Sequence, residues 1–325
     1  MAASNSPKIA ILLSTFNGAR WLPQLMQSLA MQSLPFELIW RDDGSSDRTL
    51  NLVRDFEWQR LREVQHSSEG QNIGACASFG LLMEAALLSD AALLFFAGQD
   101  DVWRPFKLVT VVSAYAGSAP SKPQLIHHDL RVVDQNGEEI APSLWRFMRL
   151  DAKQTEVARF FFCFSVTGCA TAVNRALLKI ATPVPSAALM HDWWLGLIAS
   201  VFGQIRVEEA VLVDYRQHAG NALGAKGFFH GLNPFTNWVA GWRRGNKEYR
   251  ALFPQGRAML ALLRIHPDVA QRDLASVKAF VSIPDLPVSQ RCREANRLGL
   301  RERSTLLWLV FMLRVALTKV RKPEA

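Results

Sequence analysis

Short apolar runs alternate with longer amphipathic segments through the first two-thirds of the chain. The runs 8–13, 36–40, 61–64 and 91–97 have the length of strands, and the residues between them place apolar side chains at helical spacing. The run 91–97 is apolar throughout, which predicts a central strand buried on both faces. Strands that alternate with helices in this way predict an α/β fold with a Rossmann-like half.

The rest of the chain predicts a few more strands and then mainly helices. Strands are expected at 125–129, at 131–133 before an Asn136-Gly137 turn, and as two short segments near Ile205 and Val211. Helices are expected to begin near Trp103 and at His191, the second ending at Gly203. We therefore divide the chain into a nucleotide-binding domain, 1–224, and a basic, mainly helical region, 225–325.

Polar and acidic residues gather where three of the predicted strands end. The first strand runs into Ser14 to Gly18, the second into Asp42 and Asp43, and the fourth into Gly98-Gln99-Asp100-Asp101. In an open α/β sheet ligands bind at this edge, and adjacent carboxylates suit a divalent cation that holds phosphate oxygens. Two simpler roles stay open: Asp101 as a helix cap, and Asp43 as part of a turn with Gly44.

The common phosphate-binding motifs are absent from the sequence. The first turn reads Ser-Thr-Phe-Asn-Gly rather than G-x-G-x-x-G, and no G-x-x-x-x-G-K-[ST] occurs. Metal and side chains would therefore have to bind phosphate. The 4 cysteines form no C-x-x-C pair, which argues against a disulfide framework and a structural zinc. The first residues lack the pattern of a secretory signal, so we expect none.

The positive charge is concentrated in the C-terminal region. The whole chain carries +8, but residues 242–325 contain 17 Lys or Arg against 7 Asp or Glu, or +10, which leaves −2 for residues 1–241. A basic tail suits nucleic acid or an anionic membrane surface. No zinc-finger, RNP-type or helix-turn-helix pattern accompanies the basic residues, so we expect no nucleic-acid partner.

Five stretches between Ile9 and Gly224 together resemble one family. The chain is similar to the inverting GT-A glycosyltransferases of family 2, and within them to the rhamnosyltransferase-like branch of bacterial polysaccharide biosynthesis. The stretches are Ser14 to Gly18, Arg41 to Thr49, Gln99 to Trp103 with Pro105 and Lys107, His191 to Trp194, and Tyr215 to His218 with Asn221.

The resemblance implies a fold and a set of site residues. The fold would be a GT-A fold, a Rossmann-like mixed sheet flanked by helices, with a helical C-terminal region. Asp192 would be the general base, although a helix N-cap is its alternative role, and the helix N-terminus would keep it ionised at neutral pH. Asp101 and His218 would bind Mg²⁺ or Mn²⁺. The implied residues for nucleotide-sugar binding are Thr15, Asn17, Asp42, Asp43, Asn72, Asp100 and Arg216.

The implied activity is metal-dependent inverting transfer of a sugar, L-rhamnose from dTDP-rhamnose, to a lipid-linked polysaccharide acceptor in the cytoplasm. One alternative is another UDP- or GDP-hexose donor. A second alternative is a non-catalytic subunit that binds nucleotide sugar or carbohydrate. This alternative is motivated by Gly98, which stands where relatives often carry an acid.

The apolar run 305–313 is followed by Arg314, and as far as Thr318 it is shorter than the ~20 residues that a membrane-spanning helix needs. Basic residues flank it on both sides, which predicts peripheral attachment to the inner face of the plasma membrane. The alternatives are that this helix packs on the catalytic domain or forms a homodimer contact.

Overall fold

The computed structural model describes residues 6–65, 70–162, 164–218, 238–266, 268–300 and 305–320. Its strands are β1 (Ile9–Thr15), β2 (Glu37–Asp42), β3 (Leu61–Glu63), β4 (Leu93–Ala97), β5 (Val102–Trp103), β6 (Gln124–Val133), β7 (Glu139–Ala141), β8 (Thr171–Asn174) and β9 (Gln204–Arg216). Its first helices are α1 (Leu22–Ala30), α2 (Thr49–Asp55), α3 (Ala75–Leu87), α4 (Lys107–Tyr115), α5 (Leu144–Phe147), α6 (Val157–Phe160), α7 (Arg175–Ala181) and α8 (His191–Phe202). The C-terminal helices are α9 (Trp238–Arg264), α10 (Gln271–Ser282), α11 (Val288–Arg297) and α12 (Thr305–Leu317).

The strands form one mixed sheet in the order β3-β2-β1-β4-β8-β6-β9-β5, with β7 paired to β6. The strands β3, β2, β1 and β4 are parallel, whereas β8 runs antiparallel to both of its neighbours. The carboxyl ends of β1, β2 and β4 therefore meet at one edge, as the strand-end residues predicted. The prediction of an α/β, mixed-sheet fold with a helical C-terminal region is confirmed.

The central position of β4 follows from its composition. All five of its residues are buried, and its alternate side chains enter the hydrophobic clusters on opposite faces of the sheet. Phe95 lies near Trp103 on one face, and Phe96 lies near Phe79 on the other. The prediction of a strand buried on both faces is confirmed.

One predicted helix start and one alternative role differ from the structure. A helix was expected near Trp103, but Val102 and Trp103 form β5, which pairs antiparallel with β9, and the helix begins only at Lys107. Pro105 explains the delay, because the residue before a proline is disfavoured in helical conformation. The alternative role of Asp101 as a cap of this helix is also wrong, since the N-cap position belongs to Phe106 and the Asp101 carboxylate accepts from the Arg216 amide.

Two pairs of predicted strands are each a single strand. The segments 125–129 and 131–133 both belong to β6, and the segments near Ile205 and Val211 both belong to β9. Polar residues inside β6 suggested a break, but His127, His128 and Asp129 are buried within the strand. The β6–β9 register shifts between His128 and Asp129 and again before Arg131, which lets the long pair continue past this polar segment.

The C-terminal helices contribute to the core of the preceding region. Phe280 of α10 stacks on Phe161 with ring centroids 4.3 Å apart, and Phe311 of α12 lies 4.0 Å from Phe162. The predicted domain boundary at 224 falls outside the described residues. Within the described part of the chain, no helix has both the length and the apolar character needed to cross a bilayer.

Candidate active site

The ends of β1 and β2 are joined by hydrogen bonds among the predicted nucleotide-binding residues. The Thr15 hydroxyl donates to Asp42 Oδ1 at 2.8 Å and accepts from Trp40 Nε1 at 2.9 Å. The other Asp42 oxygen accepts from the Gly44 and Ser45 amides at 3.1 and 2.7 Å. Asp42 therefore fixes the turn after β2 and keeps partial exposure at the sheet edge.

The neighbouring acid, Asp43, is buried. Its Oδ1 accepts from Arg41 Nη1 at 2.6 Å and from the Ile73 amide at 3.0 Å, and its Oδ2 accepts from the Gly74 amide at 2.8 Å. Arg41 is itself only 2% exposed. Asp43 thus forms a buried ion pair with Arg41 and anchors the loop before α3. A role limited to the turn with Gly44 would not account for these contacts.

Two of the predicted donor-binding residues are engaged in turns. Asn17 has a positive φ of 47°, and its side-chain oxygen accepts from the Ser46 amide at 2.9 Å. Asn72 Oδ1 accepts from the Gly74 amide at 3.0 Å. Both residues are exposed, so their side-chain amide groups also lie within reach of solvent beside Asp42 and Asp43.

Asp100 faces His218 across the end of β4. His218 Nε2 lies 2.8 Å from Asp100 Oδ2, and each side chain is 15% exposed. The His218 ring stacks on Trp21 with a centroid separation of 5.4 Å, and Trp21 also contacts the guanidinium groups of Arg20 and Arg216. Trp21 therefore orients the imidazole toward the carboxylate.

Asp101 points into the protein instead. It is 1% exposed, and burial, reinforced by the charge of Asp100, raises the pKa of its carboxyl well above the usual value. Lys107 lies close by, fully buried, and its ammonium donates to the Cys169 carbonyl oxygen at 2.6 Å. Burial lowers the pKa of Lys107 to about 7. The two residues form a buried acid and base beneath Asp100.

Gly98 lies close to the carboxylates of both following acids. A Cβ atom at position 98 would lie 2.5 Å from Asp101 Oδ2 and 3.3 Å from Asp100 Oδ1. Any larger residue at this position would therefore displace the buried Asp101 side chain from its observed place. The glycine is consistent with the packing of Asp101.

Arg216 is held by protein acceptors rather than presented to solvent. It is 3% exposed, and its guanidinium donates to the Asp100 carbonyl oxygen at 2.9 Å and to Gln24 Oε1 at 2.6 Å. It also donates to the Gln135 carbonyl oxygen at 3.2 Å. In this geometry Arg216 fixes the backbone that carries Asp100.

Asp192 lies in the first turn of α8, one residue inside the helix, and the N-cap position belongs to Met190. The expected alternative role as N-cap is therefore wrong. Its Oδ1 accepts from the Trp193 amide at 2.7 Å and its Oδ2 from the Gly168 amide at 2.6 Å. Burial raises its pKa to about 6, despite these hydrogen bonds. Roughly nine in ten molecules would carry the ionised form at pH 7.

His191, beside Asp192, is a buried histidine to which the sequence analysis gave no role. It is 3% exposed, stacks on Phe79 at 4.0 Å, and neither ring nitrogen has a hydrogen-bond partner in the described protein. Burial lowers its pKa to about 3, so the ring is neutral. A Cβ atom at position 168 would lie 3.0 Å from His191 Nε2 and 3.2 Å from Asp192 Oδ2. Gly168 therefore permits both side chains to approach the backbone.

Gly168 and Cys169 connect the two halves of the site. The Gly168 amide donates to Asp192, and the next residue, Cys169, accepts from the Lys107 ammonium that accompanies Asp101. Asp192 and Lys107, the latter near Asp101, are therefore hydrogen-bonded to adjacent residues. The structure brings together the predicted residues from β1, β2, β4, α8 and β9.

Three further residues shape the site, and no role was predicted for them from the sequence. Gln99 Oε1 accepts from the Phe16 amide at 2.8 Å, and Gln99 Nε2 donates to the Phe16 carbonyl oxygen at 3.0 Å. Gly18 leaves room for the Gln99 side chain. Trp21 and His191 are the others. Gln99 and His191 stood within stretches that resemble the family, but Trp21 matched the apolar spacing of α1, which concealed its role.

The fold and the site define a class of protein. A mixed GT-A sheet with acids at the ends of β2 and β4, and a carboxylate at the start of a facing helix, is the architecture of enzymes that use nucleotide sugars. The family model described as glycosyl transferase family 2 matches residues 10–178. The match covers more than half of the chain, and the chain belongs to this family.

Relatives with curated descriptions are similar over part of the chain. An uncharacterised glycosyltransferase of Nostoc sp. is 25% identical over 226 residues, 66% of each protein. The dTDP-rhamnosyl transferase RfbG of Shigella flexneri is 23% identical over 223 residues, 66% of this chain and 74% of RfbG. A validoxylamine A glucosyltransferase of Streptomyces hygroscopicus subsp. jinggangensis is 31% identical over 125 residues, 37% of this chain. The chain spans only 28% of that last protein.

Solved structures share the fold. The chain is similar to Staphylococcus aureus TarS 1–349 in complex with UDP-GlcNAc, with a TM-score of 0.52 and 16% identity over 91% of this chain and 93% of TarS 1–349. It is also similar to the mannosyltransferase PcManGT of Pyrobaculum calidifontis in complex with GDP-Man and Mn²⁺, with a TM-score of 0.52 and 15% identity over 99% and 89% of the two chains.

Proposed function

We propose that this protein is a metal-dependent inverting glycosyltransferase that moves L-rhamnose from dTDP-rhamnose onto a lipid-linked polysaccharide acceptor in the cytoplasm. The observation that carries the proposed transferase function is the bridge through Gly168 and Cys169: Gly168 donates to the buried Asp192 carboxylate, and Cys169 accepts from Lys107, which lies near Asp101. Membership of glycosyl transferase family 2 supports the reaction class. The similarity to RfbG supports the choice of rhamnose.

In the proposed reaction Asp192 is the general base. Its carboxylate takes the proton of an acceptor hydroxyl while that oxygen bonds to the anomeric carbon of the donor sugar. The bond between this carbon and the diphosphate oxygen breaks, its electron pair leaves with the nucleotide, and the configuration inverts. Two backbone hydrogen bonds hold the carboxylate in position, and a pKa of about 6 leaves it ionised at neutral pH yet basic enough to take a proton.

The nucleotide side of the site would hold the base and ribose of the donor. Asp42 and the adjacent turn are partly exposed, and a cavity of about 230 Å³ lies beside them, lined by Asp42, Ser45, Leu50, Glu63 and Val64 among others. A carboxylate there can accept from the N3–H of a pyrimidine base. Thr15, Asn17, Asp43 and Asn72 would support this contact by fixing the two loops that surround it.

Asp100, after β4, and His218, after β9, would offer two ligands to a divalent cation. A carboxylate oxygen and an imidazole nitrogen, from Asp100 and His218, lie 2.8 Å apart with partial exposure, and Mn²⁺ accepts both kinds of ligand. Within the described residues, no group of three or more His, Cys, Asp or Glu side chains is arranged around a metal position. We therefore propose Asp100 and His218 as the protein ligands, with Asp101 and Arg216 behind them. A cation bound there would neutralise charge on the leaving diphosphate.

The metal assignment is tested by comparing Asp100→Asn with Asp101→Asn. We expect Asp100→Asn to weaken Mn²⁺-dependent binding of the nucleoside diphosphate by about tenfold or more, measured by calorimetry with and without Mn²⁺. Asp101→Asn should change the stability of the protein more than its Mn²⁺ dependence, because Asp101 is buried. Equal loss of Mn²⁺-dependent affinity in both variants would contradict the assignment.

The donor is tested by incubating the protein with Mg²⁺ or Mn²⁺ and a panel of dTDP-, UDP- and GDP-sugars, and measuring nucleotide release. We expect the fastest release from dTDP-rhamnose, and faster release when a lipid-linked glycan is present than with the same glycan without lipid. Preference for a UDP- or GDP-hexose would favour the alternative donor. No turnover with any donor would favour a binding subunit, the alternative that Gly98 motivated.

A further inference from the structure

The C-terminal helix α12 has one buried face and one exposed apolar face. Phe311 and Val315 are 3% and 1% exposed and pack into the core. On the opposite side Leu309, Leu313 and Leu317 are 55%, 46% and 61% exposed. A spacing of four residues aligns these leucines along the helix. Three exposed leucines in one line are more than the scattered apolar residues of an ordinary surface.

A row of basic residues lies beside this helix. Arg243, Lys247 and Arg250 are exposed and share one face of α9, because they are three or four residues apart. Arg250 Nε donates to the Lys319 carbonyl oxygen at 3.0 Å, immediately after α12. Earlier in α9, the Trp242 ring lies 5.4 Å from the guanidinium of Arg314, which belongs to α12. These contacts place the first turns of α9 along the second half of α12.

The two helices carry almost no negative charge. Helix α9 contains six Lys or Arg residues and α12 contains one. The two helices contain a single acid, Glu248. Arg243 and Lys247 form no ion pair with the described residues. The positive charge on the part of α9 that lies along α12 is therefore available to an external partner.

We infer that the leucine-arginine face, defined as Leu309, Leu313 and Leu317 with Arg243, Lys247 and Arg250, binds the surface of an anionic phospholipid bilayer. The leucines would enter the boundary between headgroups and acyl chains, and the basic row would contact phosphate headgroups. The inference does not depend on the proposed donor or reaction, since none of these residues belongs to the candidate active site.

The composition of this face favours lipid over a second copy of the chain. Three partly exposed leucines offer far less than the ~800 Å² per partner that a stable dimer buries. Self-association through them would also bring two copies of the same basic row together, which like charges oppose. A face that joins an apolar row to basic residues without acidic partners among the described residues matches an interface where acyl chains and anionic headgroups meet.

The test is sedimentation of the full-length protein with vesicles of phosphatidylcholine alone or of phosphatidylcholine with 30% phosphatidylglycerol. We expect at least about tenfold tighter binding to the anionic vesicles and a decrease as salt is raised from about 0.05 to 0.5 M, because the charges are exposed. Replacing the leucines together, Leu309→Ser, Leu313→Ser and Leu317→Ser, should lower binding at least about tenfold.

A charge variant tests the second component without altering the helix packing. Arg243→Glu with Lys247→Glu should reduce binding of the anionic vesicles to the level seen with phosphatidylcholine alone. Arg272→Glu with Lys278→Glu, at exposed positions of α10, makes the same charge change elsewhere and should bind nearly as the unmodified protein does. Leu88→Ser, at a leucine that is 85% exposed outside this face, is the control for the leucine variant.

Three results would overturn the inference. One is that the protein binds both kinds of vesicle equally well, or binds neither kind. Another is unchanged binding by both the leucine and the charge variants, with thermal unfolding and circular dichroism confirming that each is folded. The third is a dimer of the unmodified protein, seen by analytical ultracentrifugation without vesicles, that the leucine variant converts to monomer. That result would assign the face to a second copy of the chain.

Discussion

Asp43, on the nucleotide side of the candidate site, accepts three hydrogen bonds, one of them from the buried Arg41 guanidinium. Asp192, which we propose as the base in sugar transfer, accepts two hydrogen bonds, both from backbone amides. The first carboxylate is paired with a charge and fixes a loop, whereas the second is buried among dipoles and its pKa rises to about 6. The comparison indicates a structural role for Asp43, and the raised pKa is consistent with our proposal of Asp192 as the general base.

Two histidines of the site, His218 near Asp100 and His191 beside Asp192, also differ in their hydrogen bonding. His218 is oriented by Trp21 and lies 2.8 Å from Asp100, so its nitrogen has a defined partner. His191 is stacked on Phe79 and has no partner among the described groups. An orphaned neutral nitrogen beside Asp192 is a group that a bound sugar hydroxyl would satisfy. His191 therefore keeps a hydrogen-bonding capacity that Nε2 of His218 already uses on Asp100.

The largest expected effect separates the two acids by function. Asp192→Asn preserves the shape of the side chain but removes the base, so turnover should fall by ~10²–10⁴-fold. Affinity for the nucleoside diphosphate should change little, because Asp192 does not belong to the nucleotide side. Initial rates of nucleotide release, together with calorimetric titration, measure both quantities. A parallel loss of nucleotide affinity would show that Asp192 supports the nucleotide side as well.

Asp43→Asn tests the structural half of the comparison. It leaves the buried Arg41 guanidinium without its carboxylate, which typically costs about 3–5 kcal/mol of unfolding free energy. Denaturant unfolding monitored by tryptophan fluorescence measures the change. The exposed pair Lys153 and Glu209 provides the control, since Glu209→Gln should cost less than about 1 kcal/mol. Comparable losses in the two variants would contradict a special role for Asp43.

The raised pKa of Asp192 predicts a pH dependence of stability with a defined sign. The folded value is about 6 and the ordinary value 3.8, so its contribution to stability is full below pH 3.8 and lost as the pH rises through 6. Asp192→Asn does not titrate. Its unfolding free energy relative to the unmodified protein should therefore increase by up to about 3 kcal/mol from pH 4 to pH 8.

Denaturant unfolding of both proteins at several pH values measures this difference. The same ionisation should appear in catalysis, where kcat/KM of the unmodified protein should fall about tenfold per pH unit below pH 6. A difference in unfolding free energy that stays constant with pH would mean that burial does not shift Asp192. A kcat/KM that is level down to pH 5 would count against Asp192 as the base.

The smallest expected effect concerns Gly98, which lies next to the side chains of Asp100 and Asp101. Gly98→Ala places a methyl group 2.5 Å from Asp101 Oδ2, which should cost about 1–3 kcal/mol of stability. Displacement of Asp101 should also weaken donor binding through the attached Asp100. Gly117→Ala is a useful comparison, since a Cβ there meets no atom within 4 Å, although its φ of +74° adds strain. Unfolding curves and nucleotide affinities distinguish the two.

Much of the fold could be predicted because its signals are local. The apolar run of β4 and the acids that follow it are consecutive in sequence, so they revealed a buried strand and a sheet edge. We predicted two strands in place of each of β6 and β9, because polar residues inside them resembled the ends of strands. Burial of His127, His128 and Asp129 depends on packing around β6, which is absent from the local pattern.

The exposed leucines of α12 show the same limit. The sequence identified an apolar helix without deciding between core and surface. In the structure Phe311 and Val315 serve the core while Leu309, Leu313 and Leu317 remain exposed. The division depends on which side of the helix meets Phe162 and α9, and those residues lie far away in the chain.

The sequence by itself determined which chemical groups stand at the strand ends, because strand length and the apolar period specify where each strand stops. It also determined that a carboxylate opens α8. The tertiary structure decided their roles. It turned Asp101 inward toward Lys107 and left Asp100 facing His218, and it attached Asp192 to Gly168. Orientation, burial and pKa depend on residues that come together only when the sheet forms, so no local pattern contains them.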